Sequence, residues 1–311
     1  PCVLCGCGSL APTREVSHNG FGFIIRKQVD PNIIDIGGDV IQRFESVPSG
    51  HTSARNVDVW TPPGYAEGNQ RYPVLYMHDG QHALDPATAK HGITWGVREA
   101  VIRLMDEGAI PGCIVVGIWN SAQRRRDYMP QGLFDGASGD EARQFFAAKF
   151  PAGYIEGSPA SDGYLRFLVE ELKPLIDARY RSLPDQPNTC IMGSSMGGLV
   201  SLYAIAQYPE VFGGAGCLST HWIAGENMLV DYLGERLPPP ANHRLYFDFG
   251  TITLDEAYEP FQVRMDGWLS KAGYVLGQNW TTLKFEGAAH TEAAWRARVD
   301  LPLRFLLSQQ A

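Results

Sequence analysis

Short, almost entirely apolar segments alternate with helical segments through most of this 311-residue chain. Residues 72–78 and 114–118 are apolar at nearly every position, as strands are when both faces of a parallel sheet are covered. Between them, residues 96–107 repeat apolar side chains at helical spacing. The order strand, helix, strand predicts a βαβ unit, and hence an α/β protein with helices on both faces of a mostly parallel sheet.

The same alternation continues to the C-terminus. Residues 40–47 and 54–60 instead alternate apolar and polar side chains, which predicts an antiparallel pair of half-exposed strands at the sheet edge. Residues 131–160 are rich in Gly, Ala, Asp and Pro, and we expect an excursion over the sheet edge with one short helix. No repeat or linker interrupts residues 21–311, so one domain is expected. The remaining predicted strands are 189–192, 214–218, 244–249 and 280–285, and the remaining helices are 164–176, 198–207, 257–272 and one from Thr291.

The charge of the chain excludes one class of partner, and its first residues indicate export. The formal net charge of −8 gives no attraction to a phosphate backbone, so nucleic acid is not an expected partner. Residues 1–20 look like a signal remnant and a polar tether. Leu4-Cys5-Gly6-Cys7 resembles a bacterial lipobox, which predicts lipidation of Cys7 and a periplasmic or cell-envelope lipoprotein. A metal or redox pair at Cys2 and Cys5 is the alternative, but no second ligand pair follows.

The pentapeptide Gly193-Ser194-Ser195-Met196-Gly197 matches the pattern G-x-S-x-G. It lies between a predicted apolar strand and a predicted helix, which is the context of a nucleophile elbow. Flanking glycines relieve crowding in so tight a turn, and Ser195, unlike Ser194, has a glycine two residues before and two residues after it. The alternative, a turn without chemistry, is disfavoured by that context. Ser195 is therefore the predicted nucleophile of an α/β-hydrolase.

A neutral serine hydroxyl needs a base, and the base needs an orienting carboxylate. In α/β-hydrolases the acid and then the histidine follow the serine along the chain. His243 precedes a predicted strand and so lies at the wrong end of the sheet, whereas His290 follows the strand at 280–285. The sequence thus predicts His290 as the base, although a surface or helix-capping histidine is the plainer alternative.

The acid is expected in the loop that follows the predicted strand at 244–249. Asp255 is the predicted acid, and Glu256 is the reserve. Asp255 is alternatively only the N-cap of the next helix. Asp248 lies inside the strand, where a carboxylate is expected to support the loop rather than orient His290.

An oxyanion hole and a substrate pocket complete the predicted site. One oxyanion donor is expected to be the amide of Met196, and the other that of Gly80 or Gln81, which follow an apolar strand. A metal site at His78 and His82 is disfavoured, because the two residues straddle a strand end and no Glu of a zincin motif lies between them. The residues predicted to line the substrate pocket are His78, His82, Trp119, His221 and Trp222.

Several of these segments resemble the esterase D-like family, which includes feruloyl and acetylxylan esterases, enterochelin esterases and mycolyltransferases of the antigen 85 type. The resemblance implies an α/β-hydrolase fold and a Ser-His-Asp triad that works without metal or organic cofactor. Residues 131–160 do not match the family, and we expect them to shape the choice of substrate. The matching segments are 54–60, 77–81, 193–198 and 290–295.

The leading hypothesis from the sequence is hydrolysis of a carboxylic ester through an acyl-enzyme, on an acylated sugar or an aromatic ester. Acyl transfer to a sugar or lipid acceptor uses the same residues and is the alternative. A second alternative is a non-catalytic envelope-binding module on a hydrolase fold. A binding module has no need of a serine, an acid and a histidine in the catalytic order.

Overall fold

A computed structural model describes residues 30–135, 139–151, 153–155 and 157–308. The predicted tether, the lipobox and Cys7 lie outside the described residues, so lipidation stays a prediction. Among the described residues, no helix has the length and apolar composition needed to cross a bilayer.

A nine-stranded sheet forms the centre of the molecule, in the order β1-β2-β3-β5-β4-β6-β7-β8-β9. The pairs β1/β2, β2/β3 and β3/β5 are antiparallel, and all pairs from β5 to β9 are parallel. The predicted edge pair is confirmed, with the short strand β1 added outside it. The strands are β1 (Asn32–Asp35), β2 (Val40–Val47), β3 (Arg55–Trp60), β4 (Val74–His78), β5 (Ile114–Ile118), β6 (Thr189–Ser194), β7 (Gly214–Leu218), β8 (Arg244–Ile252) and β9 (Trp280–Ala289).

Helices cover both faces of this sheet, which confirms the predicted α/β-hydrolase architecture. One apolar core packs α1, α9 and α10 against the sheet, and a second core packs α4 to α8 against the opposite face. The α-helices are α1 (Val97–Asp106), α2 (Arg124–Tyr128), α3 (Gly139–Lys149), α4 (Ser161–Arg166), α5 (Lys173–Arg179), α6 (Met196–Gln207), α7 (Glu226–Gly234), α8 (Glu259–Lys271), α9 (Glu292–Arg296) and α10 (Asp300–Leu307).

The structure departs from the sequence prediction in two helices and two strands. The helix predicted at 164–176 is longer, and the π-helical stretch Phe167–Leu172 joins α4 to α5. The helix predicted from Thr291 is divided into α9 and α10. Strands β8 and β9 continue pairing beyond a bulge, with Ile252 opposite Ala289, so the residues predicted as the loop before His290 belong to β9.

Candidate active site

Ser195 lies between the end of β6 and the start of α6, at the carboxyl ends of the parallel strands. Its backbone has φ 57° and ψ −122°, a strained conformation for a residue with a side chain. The Ser195 amide donates to the carbonyl of Leu218, and the Ser195 carbonyl accepts from the amide of His221. A Cβ atom at Gly193 would lie 2.7 Å from the carbonyl carbon of Gly197, so this turn requires glycine there. The predicted elbow geometry is therefore present.

Asp255 and His290 are joined by a short hydrogen bond. The imidazole Nδ1 lies 2.5 Å from Oδ1 of the carboxylate, which accepts the bond. Asp255 lies in the 3₁₀ turn Thr253–Ala257 after β8, and His290 follows β9 directly, so neighbouring strands hold the two residues. The amide of His290 also donates to Oγ1 of Thr253. Glu256, the reserve acid, is exposed.

The other carboxylate oxygen of Asp255 accepts two hydrogen bonds. Oδ2 accepts from the Ser219 hydroxyl at 2.6 Å and from the Gly250 amide at 2.7 Å. Burial acts to raise the pKa of Asp255, but the hydrogen bonds from His290, Ser219 and Gly250 outweigh it, and the pKa lies below its usual value. Asp255 is thus an ionised partner for His290.

A second buried carboxylate, that of Asp248, is linked to Asp255 through the side chains of Arg298 and Ser219. Asp248 lies within β8 and accepts hydrogen bonds from Arg298 at 2.9 Å and from the Tyr246 hydroxyl at 3.0 Å. Arg298 also donates to the hydroxyl of Ser219, which in turn donates to Asp255. Asp248 therefore supports the neighbourhood of the acid without contacting His290, as the sequence predicted.

Tyr258 lies between the elbow and His290, and the sequence analysis missed it. Its hydroxyl lies 2.9 Å from Nδ1 of His221 and interacts with the nearby side chain of Ser195. Its ring meets the His290 ring edge to face, with centroids 5.8 Å apart. An aromatic residue at the start of a helix is usually core, so only the folded arrangement identifies it.

The side chains of Ser195 and His290 flank Tyr258 but are not joined directly. Between these two described residues there is no hydrogen bond in this resting arrangement. The serine hydroxyl turns about a single bond, and catalytic hydrogen bonds often close only when substrate is present. The structure thus brings the three predicted triad residues into one cluster, in which the acid–base pair is already formed.

The residues predicted as oxyanion donors begin two turns that face each other. Met196 is the first residue of α6, where backbone amides lack intrahelical acceptors. Gly80 and Gln81 open a 3₁₀ turn whose first bond runs from the His82 amide to the Asp79 carbonyl, so their own amides have no acceptor within it. The start of α6 packs on the end of β4, since a Cβ atom at Gly197 would lie 3.3 Å from Cβ of His78.

Two residues predicted to line the pocket lie in the interior instead. The His78 ring is buried against two tyrosine rings, and its Nδ1 lies 2.7 Å from the hydroxyl of Tyr164. Trp222 is fully buried and donates to Oε1 of Gln262. Both residues follow strand ends at the correct rim, but their side chains point inward. Assigning them to the substrate pocket was therefore wrong.

The other three residues predicted to line the pocket are Trp119, His82 and His221, and each makes different contacts. The indole of Trp119 is partly buried and donates to Asp58 at 3.0 Å, beneath the guanidinium of Arg43. Nδ1 of His82, in the same turn as Gly80, accepts from the amide of Lys90 at 3.1 Å. Of these three residues, His221 contacts the cluster around Ser195, through its amide to the Ser195 carbonyl and through Nδ1 to the Tyr258 hydroxyl.

Described residues between Gln131 and Pro159 line a pocket of about 510 Å³. Stacked aromatic rings form one wall, with the Phe150 and Tyr154 centroids 4.1 Å apart. Tyr154 also interacts electrostatically with Tyr258. The aromatic side chains that line the pocket are Phe134, Phe146, Phe150 and Tyr154.

Comparison with known sequences places the chain in a family. A sequence profile described as "Putative esterase" matches residues 51–298, which is most of the chain. Protein YbbA of Bacillus subtilis, described as uncharacterized, is 22% identical over 200 residues, covering 63% of this chain and 68% of YbbA. An endo-1,4-beta-xylanase/feruloyl esterase of Xylanibacter ruminicola is 27% identical over 270 residues, covering 84% of this chain. The match spans only 30% of that longer protein.

A solved structure supports the fold. An IroE-like serine hydrolase from Shewanella oneidensis superimposes with a TM-score of 0.67 at 20% identity, covering 86% of this chain and 80% of that one. The family match extends over Ser195, Asp255 and His290. The chain therefore belongs to the Putative esterase family and is an esterase with an α/β-hydrolase fold.

Proposed function

We propose that this esterase hydrolyses carboxylic esters through an acyl-enzyme formed on Ser195. His290 takes the proton of the Ser195 hydroxyl as the hydroxyl attacks the acyl carbon, and then gives that proton to the departing alcohol. Asp255 holds Nδ1–H and stabilises the imidazolium. Water then attacks the acyl-enzyme and gives a proton to His290. The bond between the acyl carbon and Oγ breaks, His290 returns the proton to Oγ, and the acid is released. The observation that carries this proposal is the short Asp255–His290 hydrogen bond beside a serine on a strained elbow.

The developing negative charge needs donors that are already in place. The amide of Met196 and the amide of Gly80 or Gln81 are proposed to bind the oxyanion, because each belongs to the first turn of a helix and lacks an acceptor there. The N-terminus of the 12-residue helix α6 adds a favourable dipole at the same point.

The chemistry of the pocket favours an ester with an aromatic or extended apolar group. Its wall of phenylalanine and tyrosine rings offers apolar area and stacking faces, and one of those rings, Tyr154, interacts electrostatically with Tyr258. The relative from Xylanibacter ruminicola is described as a feruloyl esterase, which agrees with this substrate class. We propose aryl or arylalkenoyl esters as the preferred substrates.

One experiment tests the catalytic assignment. The parent protein should hydrolyse short p-nitrophenyl esters and be labelled by a fluorophosphonate, whereas Ser195→Ala should lose both properties. Ser194→Ala, which removes the adjacent hydroxyl, is the matched control and should still be labelled. Labelling of the Ser195→Ala protein, or a parent inactive on a panel of alkyl, acetyl-sugar and aryl esters, contradicts the proposal.

A further inference from the structure

The phenol of Tyr258 is buried at the centre of the catalytic cluster. Its hydroxyl lies 2.9 Å from Nδ1 of His221 and interacts with the nearby side chain of Ser195. Its ring also packs edge to face on His290. A buried hydroxyl that is bonded to His221, on a ring that packs against His290, is built into the site rather than left at its rim.

The backbone fixes this hydroxyl relative to both the acid and the nucleophile. The amide of Tyr258 donates to the carbonyl of Asp255 at 3.0 Å, so the two residues belong to one turn. The amide of His221 donates to the Ser195 carbonyl at 3.2 Å, which ties the imidazole to the elbow. The relay His221–Tyr258–Ser195 is therefore anchored at both ends.

Both members of the relay are neutral at any working pH. Burial raises the pKa of the Tyr258 phenol, with a further contribution from the Asp255 charge, so the phenol keeps its proton. Burial lowers the pKa of His221 to about 3, and the nearby His290 lowers it further, so its imidazole carries one N–H. Neither group can serve as the general base, but together they supply an oriented hydrogen bond.

We propose that Tyr258 is a further catalytic residue, which donates its hydroxyl hydrogen to Oγ of Ser195, and that His221 is a positioning residue that donates Nδ1–H to the phenolic oxygen. This proposal rests on the proposed function. With one lone pair of Oγ engaged by Tyr258, the proton of Ser195 is free to point toward His290. No proton leaves Tyr258: during acylation the Ser195 proton moves to His290, and the phenol keeps its own.

The same contact assists the second half of the reaction. When the deacylation intermediate collapses, the bond between Oγ and the acyl carbon breaks and its electron pair returns to Oγ. His290 supplies the proton that restores the hydroxyl, while the Tyr258 hydroxyl stabilises the charge that develops on Oγ. Loss of the phenolic hydroxyl should therefore slow both steps and leave substrate binding alone.

The test is Tyr258→Phe, which keeps the ring and deletes the hydroxyl. We expect kcat and the rate of fluorophosphonate labelling to fall about tenfold to a hundredfold with KM unchanged. Tyr274→Phe is the matched control, because it removes a buried hydroxyl that donates to the Pro238 carbonyl away from the site. Its melting temperature should fall about as much as that of Tyr258→Phe, with full activity.

His221 is tested by two replacements. His221→Asn retains an N–H donor near Nδ1 and should keep most of the parent kcat, whereas His221→Leu should match Tyr258→Phe. If Tyr258→Phe stays within twofold of the parent while Ser195→Ala is inactive, this inference alone is overturned. If Ser195→Ala remains active, the proposed function fails first.

Discussion

The carboxylate of Asp255 lies 2.5 Å from Nδ1 of His290, while the adjacent residue Glu256 extends into solvent. This geometry distinguishes the two acids that the sequence left open. Asp255→Asn should lower kcat by about a thousandfold to ten-thousandfold, because the amide favours the wrong imidazole tautomer and leaves the imidazolium unstabilised. Glu256→Gln should leave kcat unchanged. Steady-state hydrolysis of a p-nitrophenyl ester measures both, and equal losses would contradict the assignment.

The protein should lose stability as the pH falls below neutrality. Burial lowers the pKa values of His78 and His221 to about 3, although the Asp79 charge partly opposes this at His78. Once unfolded, both imidazoles bind protons near pH 6.5, so the unfolded state gains protons that the folded state refuses. The stability contribution of each histidine is present above pH 6.5 and is lost progressively down to about pH 3.

Urea unfolding at several pH values measures this loss. Between pH 6.5 and pH 5, each of the two histidines should remove about 2 kcal/mol from the free energy of unfolding. His78→Asn should reduce the pH dependence by about half, whereas His91→Asn, at an exposed position, should not change it. A parent protein equally stable at pH 5 and pH 7.5 would count against buried neutral imidazoles.

Gly80 should not tolerate a side chain. A Cβ atom there would lie 2.2 Å from the backbone carbon of Gly117, and a backbone neighbour cannot move aside cheaply. Gly80→Ala should therefore displace the turn after β4 and lower both the melting temperature and kcat. Gly267→Ala is the matched control, since no atom lies within 4 Å of its added Cβ atom in α8. That change should raise stability by about 0.5–1 kcal/mol and leave activity unchanged.

The aromatic pocket should govern selectivity rather than turnover. Tyr154→Ala and Phe150→Ala remove stacked rings from its wall. We expect KM for an aryl ester to rise about tenfold while acetyl ester hydrolysis stays close to that of the parent. Val263→Ala, an exposed change on α8, is the control. An equal effect on both ester classes would show that the pocket does not bind the distinguishing group.

Much of the fold and the chain order of the site could be predicted from patterns local in sequence. Apolar runs located β4 to β7, and the glycines around Ser195 located the elbow. The continuation of β8 and β9 could not be predicted in this way. It depends on a bulge and on Gly287, whose φ of 75° interrupts an ordinary strand pattern. The ladder continues because β8 and β9 hydrogen-bond to each other, and neither segment alone encodes that pairing.

The direction of several side chains could not be predicted from the sequence either. His78 and Trp222 follow strand ends, so sequence placed them at the correct rim, but their rings pack into the core. Tyr258 is the opposite case: an aromatic residue there is expected in the core, but its hydroxyl bonds to His221 and its ring packs against His290. The sequence shows where a residue lies along a strand. Whether its side chain packs in the core or faces a cavity depends on all the elements that surround it.

Strands β8 and β9 remain paired up to Ala289, the residue before His290. The Asp255–His290 pair is consequently held by one continuous ladder, to which none of the described residues between 131 and 160 belongs. We therefore expect insertions or substitutions in that segment to change which esters are accepted without disturbing the Asp255–His290 pair. With this separation, the sequence around the pocket can change, and the preferred ester with it, while the residues held by β8 and β9 stay the same.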